Sequence, residues 1–352
     1  SSCSLLVQLN QKSMSQLSKK IIKWQRKFGR NNLPWQINTN PYKVWISEIM
    51  LQQTQVKTVI PYFEKFMNRY PNIESLADST EDEVLSYWSG LGYYSRGRNV
   101  LKSAKIIKKE FNSSMPSDSD SLESLPGIGK STAGAILSLG FKKQAAILDG
   151  NAKRVLVRYF KVEEEIDSTR TVKKLWQIAE EQLPKKDFDV YTQAIMDVGS
   201  LLCKRTNPLC IQCPLENDCL AKKDGIEGLL PKKSPKKIKP KRNVYWAYIK
   251  NDKGEVLLEN RTTNGVWEGL WAFPEFQKKR DRQNFLKRFQ PSCKLIDKET
   301  TLKHSFSHYD LNINIVTLEV SSNQIKENDK AWFNSKDIIN VGIPAPINKI
   351  LI

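Results

Sequence analysis

No apolar run in these 352 residues approaches the ~18–20 residues that a membrane-spanning helix needs. The S-L-L-V-Q stretch at 4–8 is too short for the core of a secretion signal. Acidic residues are in deficit, with 38 Asp and Glu against 56 Lys and Arg, and the formal net charge is +18. A surplus of that size favours a polyanionic partner, bound through counterion release. Cysteine is scarce outside one window. Four of the six lie between 203 and 219, which is not the spread of a secreted disulfide framework and points to a reducing cytosol. Ser1 stands where Met would begin a nascent chain, so a trimmed N-terminus is expected.

What is present falls into two halves. Up to about residue 225 the pattern is helical. Asn40-Pro41 reads as an N-cap followed by proline at the first helical position, and this helix is expected to break near Gln53-Thr54. Pro61 argues against one unbroken helix running on through Phe63. Thr80 and Glu83 have capping-box spacing, and Gly90 and Gly92 end the helix they start. Residues 95–111 form a basic amphipathic pattern, and 172–183 and 188–202 two further helices. A Pro/Lys-rich stretch at 228–242 cannot build a core and reads as a linker. Strand-like alternation follows at 244–249, 255–259 and 311–320, with Asp252-Lys253-Gly254 as a hairpin turn. An all-α domain, a basic tether and an α+β domain are expected.

Four stretches carry chemistry. In V-W-I-S-E-I-M-L-Q-Q-T-Q-V, residues 44–56, Glu48 is the one charged residue, set among Trp45, Ile46, Ile49, Met50 and Leu51. In L-P-G-I-G-K-S-T-A-G-A-I-L, residues 125–137, Gly127 and Gly129 precede a small-residue helix whose first N–H groups can face an anion. Neither a Walker nor a Rossmann pattern follows, so a DNA phosphate is favoured over a mononucleotide. Asp149, in I-L-D-G-N, suits an N-cap, a place that also keeps a carboxylate ionised. Cys203, Cys210, Cys213 and Cys219 have a C-x6-C-x2-C-x5-C spacing. Four thiolates so close suit tetrahedral zinc or a [4Fe–4S] cluster, and the staggered spacing favours the larger group. Cys3 and Cys293 read as ordinary thiols.

The glycine hairpin, Asp149 and the four-cysteine loop together resemble the helix-hairpin-helix DNA glycosylases with an iron–sulfur cluster. Residues 44–56, G-L-G-Y-Y-S-R-G-R-N at 90–99 and I-L-D-G-N resemble the adenine-specific, MutY-type branch, and the likeness runs from about residue 17 to the end. The resemblance implies a multidomain protein. An all-α catalytic domain would span 1–227, with a helical barrel and hairpin at 34–145 and an iron–sulfur module at 1–33 and 146–227. The linker would be 228–242, and a nudix-like α+β domain 243–352. It implies excision of adenine mispaired with 8-oxoguanine or guanine in duplex DNA. Glu48 would be the general acid, Asp149 would stabilise an oxocarbenium-like sugar, and Asn151 would orient water or the sugar. Gln53 and Tyr93 would intercalate, and Gly127, Gly129, Lys130 and Ser131 would contact DNA. The four cysteines would hold one [4Fe–4S] cluster, with no other small-molecule cofactor. The enzyme would be a monomer in the bacterial cytoplasm, associated with the nucleoid and not with membrane.

Two departures narrow this. Relatives that also cut the backbone carry a Schiff-base lysine where this chain has Ser131, so a monofunctional enzyme is expected. An endonuclease III-like glycosylase/AP lyase and a non-catalytic iron–sulfur DNA-binding protein are the alternatives. N-G-V-W-E-G-L-W-A-F-P-E-F, residues 264–276, resembles a nudix domain, but the metal-binding glutamates that should follow Glu275 are missing, so nucleotide hydrolysis is not expected. Phe306, Ser307 and His308 match the family's 8-oxoguanine reader.

Overall fold

The computed structural model describes residues 14–233, 238–262, 267–290, 293–306, 308–321 and 328–351. Cys3, Ser307 and residues 264–266 of the nudix-like motif, all singled out in the sequence, lie outside these. No helix among the described residues is long and apolar enough to cross a membrane.

Helices α1 (Gln16–Phe28), α2 (Pro41–Leu51) and α3 (Val56–Arg69) open the chain. They are followed by α4 (Ile73–Ala77), α5 (Glu81–Trp88) and α6 (Ser95–Glu110). The short pair α7 (Ser119–Glu123) and α8 (Lys130–Ala135) makes the hairpin, and α9 (Gly150–Tyr159), α10 (Thr169–Glu181), α11 (Phe188–Asp197) and α12 (Leu220–Lys223) complete the helical part. Beyond it come β1 (Lys241–Asn251), β2 (Val256–Asn260), β3 (Trp271–Ala272), β4 (Glu275–Phe276) and α13 (Lys279–Lys287). The chain ends with β5 (Cys293–Ser305), β6 (Asp310–Val320), β7 (Lys330–Phe333), α14 (Ser335–Ile338) and α15 (Ala345–Leu351).

Local signals act where the sequence places them. The Asn40 side chain accepts from Lys43 N with Pro41 at the first helical position, and Thr80 and Glu83 close a reciprocal capping box. The expected break near Gln53-Thr54 is present, and no single helix runs from Pro41 through Phe63. It lies between Leu51 and Val56, and Pro61 falls inside α3, which runs on to Arg69. Pro61 is exposed, so the carbonyl that its missing N–H would have bonded is left to water, which makes the proline tolerable.

The chain forms two compact units, Ser1–Met67 with Ile106–Lys236 and Asn68–Lys105 with Lys237–Ile352. In the first, α1, α9, α10 and α11 bury Leu17, Ile21, Leu156, Leu175 and Ile195 in one core. In the second, the sheet order is β3-β2-β1-β6-β5, with β4 on β1 and β7 on β2. β1 and β6 pair in parallel from Lys241↔Asp310 to Asn251↔Val320, and the other pairings are antiparallel. The β1–β2 hairpin closes where expected, its Asn251 Oδ1 accepting from Lys253 N and Glu255 N and Gly254 at φ 75. Helix α13, with Phe285, and the turn after it, with Phe289, pack on the sheet. The sequence placed 68–105 within one helical domain; these residues share their compact unit with the sheet. Gly342 packs so closely that an added Cβ would lie 2.9 Å from Leu270 and 3.0 Å from Leu85.

Candidate active site

Helix α2 buries Trp45, Ile46, Ser47, Ile49 and Met50 almost completely. Glu48 alone in that run keeps some surface, yet protein surrounds its carboxyl closely enough to withhold most solvation. Burial, and secondly the negative charge of Asp149, push its pKa from 4.5 to about 8. Among the described residues no cation offsets that penalty. At neutral pH Glu48 therefore keeps its proton.

Asp149 caps α9. Its Oδ1 accepts from Ala152 N at 2.8 Å and its Oδ2 from Asn151 N at 3.2 Å, which sets its charge on the positive end of the helix. The structure thus brings Glu48 and Asp149 within electrostatic reach of each other, one neutral and one charged. The segment that carries Asp149 is held by the hairpin helix. Ser131 Oγ accepts from Leu148 N at 3.0 Å, and a Cβ on Gly134 would lie 2.0 Å from the Ala146 carbonyl oxygen, so only glycine allows that approach. Gly140 meets Pro41 Cα in the same way, at 2.7 Å, and so fixes the start of α2.

Several supporting residues gave no sequence signal. Arg154 donates to Asn151 Oδ1 at 2.8 Å, Gly150 O at 3.2 Å, Gly199 O at 2.5 Å and Cys203 O at 2.6 Å. Asn151 therefore has its side-chain oxygen engaged by Arg154. Asp197, fully buried, accepts from Gln25, Gln193 and the backbone and guanidinium of Arg30. A cavity of about 190 Å³ lined by Gln25, Trp35, Val44, Ser47 and Gln193, among others, opens next to these groups. Apart from Arg154–Asn151 and Gln193–Asp197, these contacts span more than a hundred residues or rely on a backbone carbonyl, which a motif does not encode.

The other singled-out residues are placed as follows. Gly127 has φ 82, a conformation that requires glycine, whereas Gly129 is extended and a Cβ there would meet nothing. Lys130 is exposed; its ammonium lies 3.0 Å from Glu180 and 4.2 Å from the Trp176 ring centroid. Gln53, directly after the end of α2, is exposed at φ 59. Tyr93, in the other compact unit, is 52% exposed at φ 51. Left-handed backbone is costly for such residues and collects at functional sites.

Cys203, Cys213 and Cys219 border the main helical core, and Cys210 lies between them in the chain. Arg158, buried, donates to Cys203 Sγ at 3.3 Å, and the Cys219 thiol lies 3.5 Å from the Arg158 carbonyl. Burial raises the pKa of Cys210, Cys213 (to about 12) and Cys219, and each also feels the charge of other cysteines in the group. Among the described residues no three His, Cys, Asp or Glu side chains close on a single metal ion. The donor chemistry suits an iron–sulfur group: four thiols close enough to feel one another's charge, and burial of Cys210, Cys213 and Cys219 disfavours their thiolates unless a cationic centre binds them.

In the second unit Phe306 sits amid Trp267, His304 and Tyr309, with ring centroids 5.2, 4.5 and 4.8 Å away, and Phe306 N donates to Tyr309 O at 2.9 Å. His308 is exposed, its ring 4.7 Å from that of Tyr309. Glu275 is tied to Arg261, with Nη2 2.5 Å away, and to Trp246 Nε1 at 2.8 Å.

Residues 46–181 match the HhH-GPD superfamily of base excision DNA repair proteins, and residues 245–352 match the NUDIX domain. The adenine DNA glycosylase of Buchnera aphidicola subsp. Baizongia pistaciae is 43% identical over 94% of this chain and 94% of its own. The human adenine DNA glycosylase is 38% identical over 55% of this chain and 37% of its own. Among solved structures, a thermostable thymine-DNA glycosylase superposes with a TM-score of 0.54 at 25% identity, covering 59% of this chain and 95% of that one. With a relative this similar along almost its whole length, the chain belongs to the adenine DNA glycosylases of base excision repair.

Proposed function

We propose that this chain hydrolyses the N-glycosidic bond of adenine opposite 8-oxoguanine or guanine in duplex DNA and leaves the backbone intact. The observation that carries the reading is the carboxyl pair: Glu48 is forced to hold a proton while Asp149 holds a charge. The target adenine first leaves the stack, at a cost of a few kcal/mol. Glu48 then protonates the base on its leaving-group side, and the electrons of the glycosidic bond depart with adenine. Positive charge develops on the sugar, and Asp149 stabilises it from the helix terminus. Water adds to the sugar carbon and its proton returns to Glu48, the division of labour seen between two carboxyls in glycoside hydrolysis. Asn151, held by Arg154, flanks this path as the residue that orients water or sugar.

Ser131 offers a hydroxyl that cannot form a Schiff base, and Lys130 is turned toward Trp176 and Glu180. Gly127, Gly129 and Lys130 serve the DNA backbone, Gln53 and Tyr93 hold the opened stack, and Phe306, Ser307 and His308 read the oxidised base. Cys203, Cys210, Cys213 and Cys219 would hold one [4Fe–4S] cluster through their thiolates. The cluster would brace the loop at 203–219. The enzyme acts as a monomer in the bacterial cytoplasm.

A single-turnover assay on duplexes carrying A:8-oxoG, A:G and A:T, with and without alkali, tests the reading. Breaks on A:8-oxoG only after alkali are expected; breaks without alkali would mean a lyase, and none at all would end the proposal. Iron analysis should give roughly four iron atoms per chain, and one zinc instead would overturn the cluster assignment.

A further inference from the structure

The turn between α5 and α6 holds Tyr93 outward and Tyr94 inward. Arg96 sits beneath it: its guanidinium donates to Leu91 O at 3.3 Å and Gly92 O at 3.1 Å and lies 5.4 Å from the Tyr93 ring centroid. Tyr94, only 5% exposed, sends its hydroxyl to the carbonyl of Ile343 at 2.7 Å, 249 residues further along the chain. That carbonyl is a fixed acceptor, because its neighbours are pinned on both sides. Gly342 O accepts from Trp271 N at 2.9 Å on β3, and Pro344 O accepts from Ile347 N and Asn348 N at 2.9 and 3.1 Å at the start of α15. Gly342 is also wedged between Leu270 and Leu85 of α5. The HhH-GPD match contains Tyr94 and the NUDIX match contains Ile343, yet both belong to one compact unit.

We infer that Tyr94 is a positioning residue: its bond to Ile343 fixes the turn that carries Tyr93, so the opening of the base stack depends on the segment Val341–Pro344 of the nudix-like domain. The inference rests on the reading of Tyr93 as the side chain that enters the stack. An aromatic ring can resist the restoring force of a duplex only if its backbone is anchored. Tyr93 pays for its left-handed conformation with local strain, so an inward neighbour bonded to a distant fixed point supplies the anchor.

The test uses the full chain and compares two targets: adenine opposite 8-oxoguanine in a stacked duplex, and adenine in a bulge, already out of the stack. Tyr94→Phe removes one buried hydrogen bond, and excision from the stacked target is expected to slow by about tenfold while the bulged target is unaffected. In a Tyr93→Ala background, Tyr94→Phe should add nothing, because the residue acts through Tyr93. The inference is overturned if Tyr94→Phe slows both targets equally, which marks a general loss of folded enzyme. It is also overturned if Tyr94→Phe matches the wild type on the stacked target, or if its effect persists in full without Tyr93. Failure of the wild type on both targets would instead remove the glycosylase reading itself.

Discussion

Glu48 and Glu275 are both drawn into the protein, one in each compact unit, and they meet opposite surroundings. Around Glu48 are apolar side chains and, in reach, a second negative charge; its carboxyl is driven to about pKa 8. Glu275 lies against the Arg261 guanidinium and the Trp246 indole N–H, with both members of the ion pair about 15% exposed. A carboxylate matched with a cation is stabilised and inert. One denied a cation stores a proton that it can deliver. On the proposed mechanism the chemistry of the first unit comes from a partner withheld, and the firmness of the second from a partner supplied.

The strongest way to break this contrast is Glu48→Gln, which keeps the size of the side chain and removes the proton donor. Excision should fall by about 10²–10⁴-fold with duplex affinity retained, measured by single-turnover kinetics and titration. Unchanged excision would place the acid elsewhere. Asp149→Asn should slow excision by about 10²–10³-fold while stability stays within about 0.5 kcal/mol, because Asn caps a helix as well as Asp. Equal losses in both quantities would make Asp149 structural only.

The pH profile sharpens the contrast. Glu48 has a folded pKa of about 8 against 4.5 when unfolded, so the native state binds the extra proton between those values. The contribution of this group to stability is therefore fully present below pH 4.5 and lost as pH rises through about 8. The excision rate should fall by about tenfold per pH unit above that point, and chemical denaturation should show Glu48→Gln gaining on the wild type as pH rises from 4.5 to about 8, with no further gain above. A rate that rises through pH 9 would contradict the acid role. The smallest effect is expected at Glu275→Gln, which leaves the Arg261 charge half-satisfied. Stability should drop by about 1–3 kcal/mol with excision essentially unchanged, as read by denaturation beside the glycosylase assay.

The sequence disclosed whatever depends on neighbours in the chain. Asn40-Pro41, the Thr80–Glu83 box, the turn at Asp252–Gly254 and the Asp149 cap are each settled within a few residues, and each stands as expected. That Pro61 sits inside α3 was not legible, because tolerance of a proline depends on whether the orphaned carbonyl reaches water, which is a matter of burial. Gly134, Gly140 and Gly199 were silent for a related reason. Each is glycine because a distant backbone presses on it, and that backbone is named only by the fold. The same holds for Arg154, whose partners are mostly carbonyls, and for residues 68–105, whose burial is completed by chain ends more than 200 residues away.

The hydroxyl of Ser131 carries a consequence for any attempt to give this enzyme a cutting activity. A lysine at that position would bring the amine that strand scission calls for, and would at the same moment take away the oxygen that receives Leu148 N beside Asp149. The two trades are incompatible at one site. Retrofitting scission would thus come with a loosened 147–149 segment, at a cost of about 1–3 kcal/mol for the lost bond, so the broken-strand product would be gained against a less firmly held Asp149.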